Sequence, residues 1–362
     1  MRFLLFALAA AVGALADGAV QANAHASPFD EDADIGGVTE RIFTGKDLSR
    51  LTSSRRRRRR REVHRLGGDD EHGSYRAAEV NKNPKVEIHR LAAQARLWFP
   101  KERPKLLELG LEDGMTVLDL GCGPGFLSAE LLKSFPKLRV AGIEIDPKLL
   151  AHANGMLETT FPKRWRGLHM SIAHMKTIES NSVDFAISRY VFQHLPQPEL
   201  ALKEAYRVLK PGGVLVVLDV DEAIAGVFSP GRSFLIEQQT GGWLTHATQV
   251  NGQISSMFSQ MQAHDGGNRM VGRRLFPLFR HAGFQELDEQ LLMVSSDEYG
   301  MEAFHDIVLP DARAWDLYRK GMIDDTALQI NEHMLARFLQ DPESAMYDVE
   351  WVMKGTKPHN HE

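Results

Sequence analysis

The stretch Val117-Leu118-Asp119-Leu120-Gly121-Cys122-Gly123-Pro124-Gly125 decides how the rest of the chain is read. A run of strand length, Thr116 to Leu120, leads into a turn with three glycines and then into Phe126 to Phe135, whose apolar spacing is helical and which Pro136 closes. A strand, a glycine turn and a helix in that order form the opening of an alternating α/β sheet. Its ligand sits outside the carboxyl ends of the strands, where the strand order reverses. Glycine lets the backbone take dihedrals closed to other residues and lets a ligand approach the main chain.

Working outward, the alternation persists. Leu138 to Ile145 reads as a strand, Pro147 to Leu157 as a helix, and Gly167 to Ile172 and Val183 to Ser188 as strands. Glu199 to Leu209 reads as a helix and Val214 to Val220 as an apolar strand. Such alternation implies a mostly parallel sheet covered on both faces. Before it, Pro84 to Pro100 is a helix that Pro100 should stop, and residues 105–109 form a second short one. After Asp221, residues 222–268 are rich in Gly, Ser and Gln and are expected to cap the strand ends. A helix over residues 270–281 and a strand over 287–294 follow, and residues 297–344 form a second, helical insertion before a last strand at 347–353.

Composition bounds the chain's class. At 362 residues and 43% hydrophobic it can bury a full core. The net charge is −5, and because the run Arg55–Arg61 supplies seven positive charges, the remainder carries −12, which argues against nucleic acid as a partner. The single cysteine, Cys122, excludes an intrachain disulfide, and no structural metal site is indicated.

Residues 1–26 resemble a secretory or organellar targeting segment: Met1-Arg2, then an apolar run from Phe3 to Ala16, too short for a stable transmembrane helix. Residues 27–74 read as a polar, Arg-rich linker or disordered arm, so the fold starts near Tyr75. A cytosolic location is the alternative, and the oligomeric state is open.

Three details separate this turn from a dinucleotide site. The spacing is G-x-G-x-G, and Phe126 stands where the dinucleotide fingerprint needs its third glycine. Asp119 sits at the strand end, where a carboxylate attracts a cationic amino group and repels a pyrophosphate. Glu144, in Gly142-Ile143-Glu144-Ile145-Asp146-Pro147, ends the next strand, where an acid can accept ribose hydroxyls.

With Ser182-Val183-Asp184-Phe185, Val191-Phe192-Gln193-His194-Leu195 and Arg207-Val208-Leu209-Lys210-Pro211-Gly212-Gly213 in order behind it, the chain from about Tyr75 to Pro358 resembles the class I S-adenosylmethionine-dependent methyltransferases, small-molecule and quinone or polyketide types among them. The resemblance implies a doubly wound, seven-stranded, Rossmann-like sheet and S-adenosylmethionine as cofactor. It implies that Asp119, Gly121, Cys122, Gly123 and Gly125 hold the methionine part, that Glu144 and Ile145 serve the ribose, that Ser171 and Ile172 border the adenine, and that Arg189 borders the sulfonium. Family members often carry an acid at the adenine position; Ser171 or Ile172 stands there, so that contact reduces to backbone.

Bland readings of the same residues stay open. Asp119 fits a turn cap, Glu144 a solvated strand end, Cys122 a small turn residue, and His194 an oriented structural histidine. If the acceptor must lose a proton, His194 and Asp221 are the candidate bases. The acceptor is expected to be a small hydrophobic molecule held by Phe228, Trp243, Met257, Phe258, Met261, Phe304 and Trp315. Arg269, Arg273 and Arg274 offer a place for an anionic group. Two other functions fit less well: a nicotinamide-dependent oxidoreductase, which Phe126 and the Lys210–Gly213 turn oppose, and a non-catalytic partner subunit that keeps the cofactor site.

Overall fold

A computed structural model of the chain describes residues 74–75, 84–222, 226–228, 254, 256–308, 312–342 and 344–359. All of these lie in the compact unit Gly45–Glu362. The expected targeting segment, nearly all of the linker and most of the first cap, Trp243 included, lie outside the described residues.

The chain folds as α1 (Pro84–Glu108), β1 (Thr116–Leu120), α2 (Phe126–Ser134), β2 (Arg139–Glu144), α3 (Pro147–Thr160), β3 (Trp165–His169), β4 (Val183–Arg189), α4 (Pro198–Val208) and β5 (Leu209–Val220). Then come β6 (Gly226–Phe228), α5 (256–264), α6 (Leu275–His281), β7 (Gln285–Ser295), α7 (Glu302–Val308), α8 (Ala312–Arg319), α9 (Asp325–Gln340) and β8 (Ala345–Thr356). The strand order is β3-β2-β1-β4-β5-β8, with β7 on the far side of β8 and the three-residue β6 on the same edge of β8 as β5. β1 to β5 are parallel and β8 alone runs antiparallel between β5 and β7. The expected doubly wound sheet is therefore present, with β6 as an eighth, short strand inside the region expected to be cap.

Side chains alternate across the sheet as the pleat requires. Val117, Phe185, Ile187, Val216 and Leu218 face one core with α1, α2 and α3, while Leu118, Leu120, Ala186, Leu215 and Val217 face the other with α4 and α6. This alternation places Asp119 on the α2 side. Chain reversal around β1, with β2 on one side and β4 on the other, creates the crevice where ligands of such sheets bind.

One expectation fails at α1. Pro100 does not stop it, and a single 25-residue helix runs through Pro100 and Pro104. The two prolines, one turn apart, leave the carbonyls of Arg96 and Pro100 without their usual donors, a loss of roughly 3 kcal/mol each in a free helix. Burial of Leu97, Trp98, Phe99, Leu106 and Leu109 offsets it. Residues 270–281, expected as one helix, split into a 3-10 turn (Gly272–Arg274) and α6. Among the described residues no helix is long and apolar enough to cross a membrane, and no group of His, Cys, Asp or Glu is arranged to hold a metal ion.

Candidate functional site

The glycine turn is held by its own geometry. Gly121, Gly123 and Gly125 have φ of 78°, 54° and 85°, so each occupies the left-handed region. The N–H groups of Gly121 and Cys122 both donate to Ile143 O at 2.9 Å, tying the turn to the end of β2. A Cβ on Gly121 would lie 2.6 Å from Val191 Cγ2, and one on Gly125 2.9 Å from Ala153 Cβ. One on Gly123 would meet no atom within 4 Å. The two outer glycines are thus required by packing, and the middle one faces open space.

Asp119 is 1% exposed, and Ser128 Oγ of α2 donates to its Oδ2 at 2.6 Å. Burial pushes its carboxyl up to about 6, against the pull of Ser128 and Arg189. Glu144 accepts three backbone N–H groups, from Gly123 at 2.8 Å and from Ile145 and Asp146 at 2.9 Å. Burial raises its carboxyl, and these three donors oppose that. Glu144 therefore does more than end a strand: it clamps the middle of the glycine turn from β2. Asp146 caps α3 by accepting from Lys148 N and Leu149 N, with Pro147 at the first helical position.

Cys122 is buried, and a Cβ on Gly142 would come within 2.7 Å of its Sγ. Burial and the charges of Asp119 and Glu144 push the thiol well above its usual range, so it is a small packing residue. After β3, Ser171 Oγ accepts from Ala173 N, and Ile172 packs in the core with Leu118 and Ile143. Both side chains are engaged locally, which leaves backbone for any contact made there. Arg189 ends β4 with its Nη1 shared between the two oxygens of Glu102 at 3.2 Å, a buried pair that reaches across to α1.

The two candidate bases are both committed. Asp221 is fully buried and holds Arg273 through Nε at 2.5 Å and Nη2 at 2.8 Å. His194 Nδ1 lies 3.2 Å from Gln262 Nε2 and 2.9 Å from Ser74 Oγ. The same Gln262 Nε2 donates to Gln193 O at 2.9 Å, which fixes it as the nitrogen end of the amide. His194 Nδ1 therefore accepts, and the ring proton sits on Nε2. Burial and the charges of Arg269 and Arg90 bring its pKa down to about 3, so the ring is neutral and presents a donor rather than a base. Asp219, pushed up to about 7 by burial, anchors the same segment to β5 by accepting from Gln193 N and Val220 N.

Two of the three arginines of the expected anion site are spent internally, Arg269 on Glu222 at 3.2 Å and Arg273 on Asp221, while Arg274 is exposed. Of the apolar set, Phe304 is buried against Leu97 and Trp98, Phe258 lies under Arg269, and Trp315 stacks beside Tyr318. Ser128, Glu102 and Gln262 were not expected. Each reaches the site from another element, and no spacing in the sequence announces it.

A family described as a methyltransferase domain matches residues 111–265. An uncharacterized 37.1 kDa protein of transposon Tn4556 from Streptomyces fradiae is 36% identical over 114 residues, 31% of this chain and 32% of that protein. Trans-aconitate 2-methyltransferase of Azoarcus sp. is 33% identical over 129 residues, 34% and 48% of the two chains. The 2-methyl-6-phytyl-1,4-hydroquinone methyltransferase of Synechocystis sp. is 37% identical over 109 residues, 30% and 33%. The chain thus spans a third to a half of these relatives.

Proposed function

We propose that this chain, which belongs to the class I S-adenosylmethionine-dependent methyltransferases, transfers a methyl group to a small acceptor with an apolar body. The observation that carries the reading is the constellation at the β1 switch point: a buried Asp119, a glycine turn open at Gly123, and Glu144 clamping that turn.

S-adenosylmethionine, when bound, supplies a methyl carbon on a sulfonium whose departing thioether is neutral. Asp119 supplies the negative charge for the cofactor's ammonium, and the ammonium in turn relieves the buried carboxylate. Gly123 leaves the backbone approachable, and Glu144 supplies acceptor oxygens beside the ribose. A displacement with so good a leaving group needs alignment and exclusion of water more than acid–base chemistry, and alignment alone is worth up to roughly 7–11 kcal/mol. That requirement agrees with a site whose His194 is neutral and proton-bearing at Nε2 and whose Asp221 is paired.

The relatives' names describe small acceptors, trans-aconitate and a phytylated hydroquinone among them, and the hydroquinone relative's acceptor has the apolar body proposed here. The reading is tested by following S-adenosylhomocysteine release with phenolic, quinone and amine acceptors. Release with at least one is expected. Tight cofactor binding without release for any acceptor would favour a non-catalytic partner subunit.

A further inference from the structure

β7 is the last strand of the sheet. One edge pairs with β8, and among the described residues no strand pairs with the other. The left-handed φ of Glu286, 48°, and a register break between Gln285 and Asp288 mark a bulge at its start. From Asp288 to Ser295 the pairing with β8 is regular, and this stretch holds neither lysine nor proline, the residues that commonly blunt a sheet edge. Leu291, opposite Trp351 of β8, and Met293, opposite Val349, stand two residues apart on one face. Each is 54% exposed, more than any other large apolar side chain among the described residues.

An unpaired edge of this length is a template for another strand, and register decides which strand fits. A second copy laid antiparallel along it, with a two-fold axis at Leu292, sets Leu291 against the partner's Met293 and Met293 against the partner's Leu291. Glu289 then faces the partner's Ser295, whose hydroxyl can donate to Glu289 Oε2, Oε1 being taken by Trp351 Nε1 at 2.8 Å. Sliding the partner by two residues loses this fit, since one direction sets Met293 against Glu289 and the other sets Glu289 against Asp297. In the fitting register the Glu289 carboxylates of the two copies lie about 20 Å apart at ~3.4 Å per residue, beyond the ~8–10 Å over which exposed charges act.

We propose that the outer edge of β7 is an interface between two copies of this chain, joined β7 to β7 as an antiparallel pair about a two-fold axis at Leu292. Such a contact uses the same patch on both copies and closes at two, so it makes a dimer and not a filament. Main-chain hydrogen bonds join the strands, and the Leu291–Met293 contact, made twice, takes the exposed apolar surface out of water. A single strand pair is small for a protein interface, so the dimer is expected to dissociate in the micromolar range. β4, β5 and β8 stand between this edge and β1, so the dimer leaves the glycine turn untouched.

Sedimentation velocity of the full chain across the micromolar range tests the association. Wild type is expected to show a monomer–dimer equilibrium, and the double variant Leu291→Lys/Met293→Lys to weaken it at least tenfold with unchanged far-UV circular dichroism. Leu291→Gln/Met293→Gln serves if the lysine variant does not fold. The register is tested by cross-linking, because directly opposed residues have Cα atoms about 4.5–5.5 Å apart, within disulfide range. The native Cys122 is buried. An equimolar mixture of Leu291→Cys and Met293→Cys chains, oxidised with copper phenanthroline, is expected to form disulfide-linked dimers at least tenfold faster than either chain alone. A wild type that stays monomeric overturns the proposal, whether its β7 edge amides exchange freely with solvent or are protected by another segment of the chain. So does a dimer that the lysine variant forms equally well, or cross-linking of either single variant as fast as the mixture.

Discussion

Replacing Asp119 with Asn should stabilise the ligand-free protein and cripple cofactor binding together. Asp119 is 1% exposed with a carboxyl pushed from 3.8 up to about 6, chiefly by burial. The folded pKa lies above the unfolded one, so the native state binds the extra proton. Stability from this group is therefore full below about pH 4, is lost as pH rises through 6, and stays lost above. Two pH units correspond to about 3 kcal/mol. Asn keeps an oxygen for Ser128 Oγ but adds an amide needing a partner, which costs about 1–2 kcal/mol. The net gain at pH 8 is about 1–2 kcal/mol, or roughly 2–8 °C in Tm for a domain of this size, and it disappears at pH 4. Loss of a charge-assisted bond to the cofactor's ammonium is worth about 1.5–3 kcal/mol, or roughly 10–100-fold in affinity. Thermal unfolding at both pH values, with calorimetric titration of S-adenosylmethionine, reads both effects. A variant less stable than wild type at pH 8 with unchanged cofactor affinity would refute the assignment of Asp119.

Glu144→Gln exchanges one acceptor oxygen for a donor facing backbone N–H groups of the turn, and should cost about 1–3 kcal/mol in stability; urea unfolding measures this, and cofactor affinity should fall about tenfold or more with it. Gly121→Ala adds a Cβ 2.6 Å from Val191 Cγ2 at a left-handed φ, a strain of roughly 1–2 kcal/mol before the clash. Pairing it with Val191→Ala should recover the steric part, and strict additivity in the double-mutant cycle would contradict the contact. Asp221→Asn should lower stability by about 1 kcal/mol, since Arg273 is half-exposed, and leave kcat within a few-fold of wild type. A hundredfold fall in kcat without loss of stability would return Asp221 to the chemistry.

The parallel core was legible because β1, β2, β4 and β5 contain apolar runs, and because Asp119, Phe126 and Glu144 carry chemical meaning at fixed distances from the turn. β3, Trp-Arg-Gly-Leu-His with only Trp165 buried, lies at Trp165–His169 and not at the expected 167–172. What escaped were contacts between elements. Pro100 is a stop signal by local rules, yet the buried face of α1 outweighs it. His194 reads as a general base until Gln262, 68 residues later, fixes its tautomer, and Asp221 reads as a free acid until Arg273 takes it. Glu350 attracted no notice in a strand that also carries Asp348 and Lys354, and its burial near Glu102 and Arg189 is visible only when β8, α1 and the end of β4 are seen together.

The methyltransferase assignment depends on what the turn at Gly121–Gly125 holds. Titrating the purified chain with S-adenosylmethionine, S-adenosylhomocysteine and NADH, with Gly123→Val as the control, tests it directly. One S-adenosylmethionine and one S-adenosylhomocysteine per chain, no NADH, and loss of both by a folded Gly123→Val variant is the predicted result. Binding of NADH at the expense of S-adenosylmethionine, or undiminished S-adenosylmethionine binding by Gly123→Val, would contradict it.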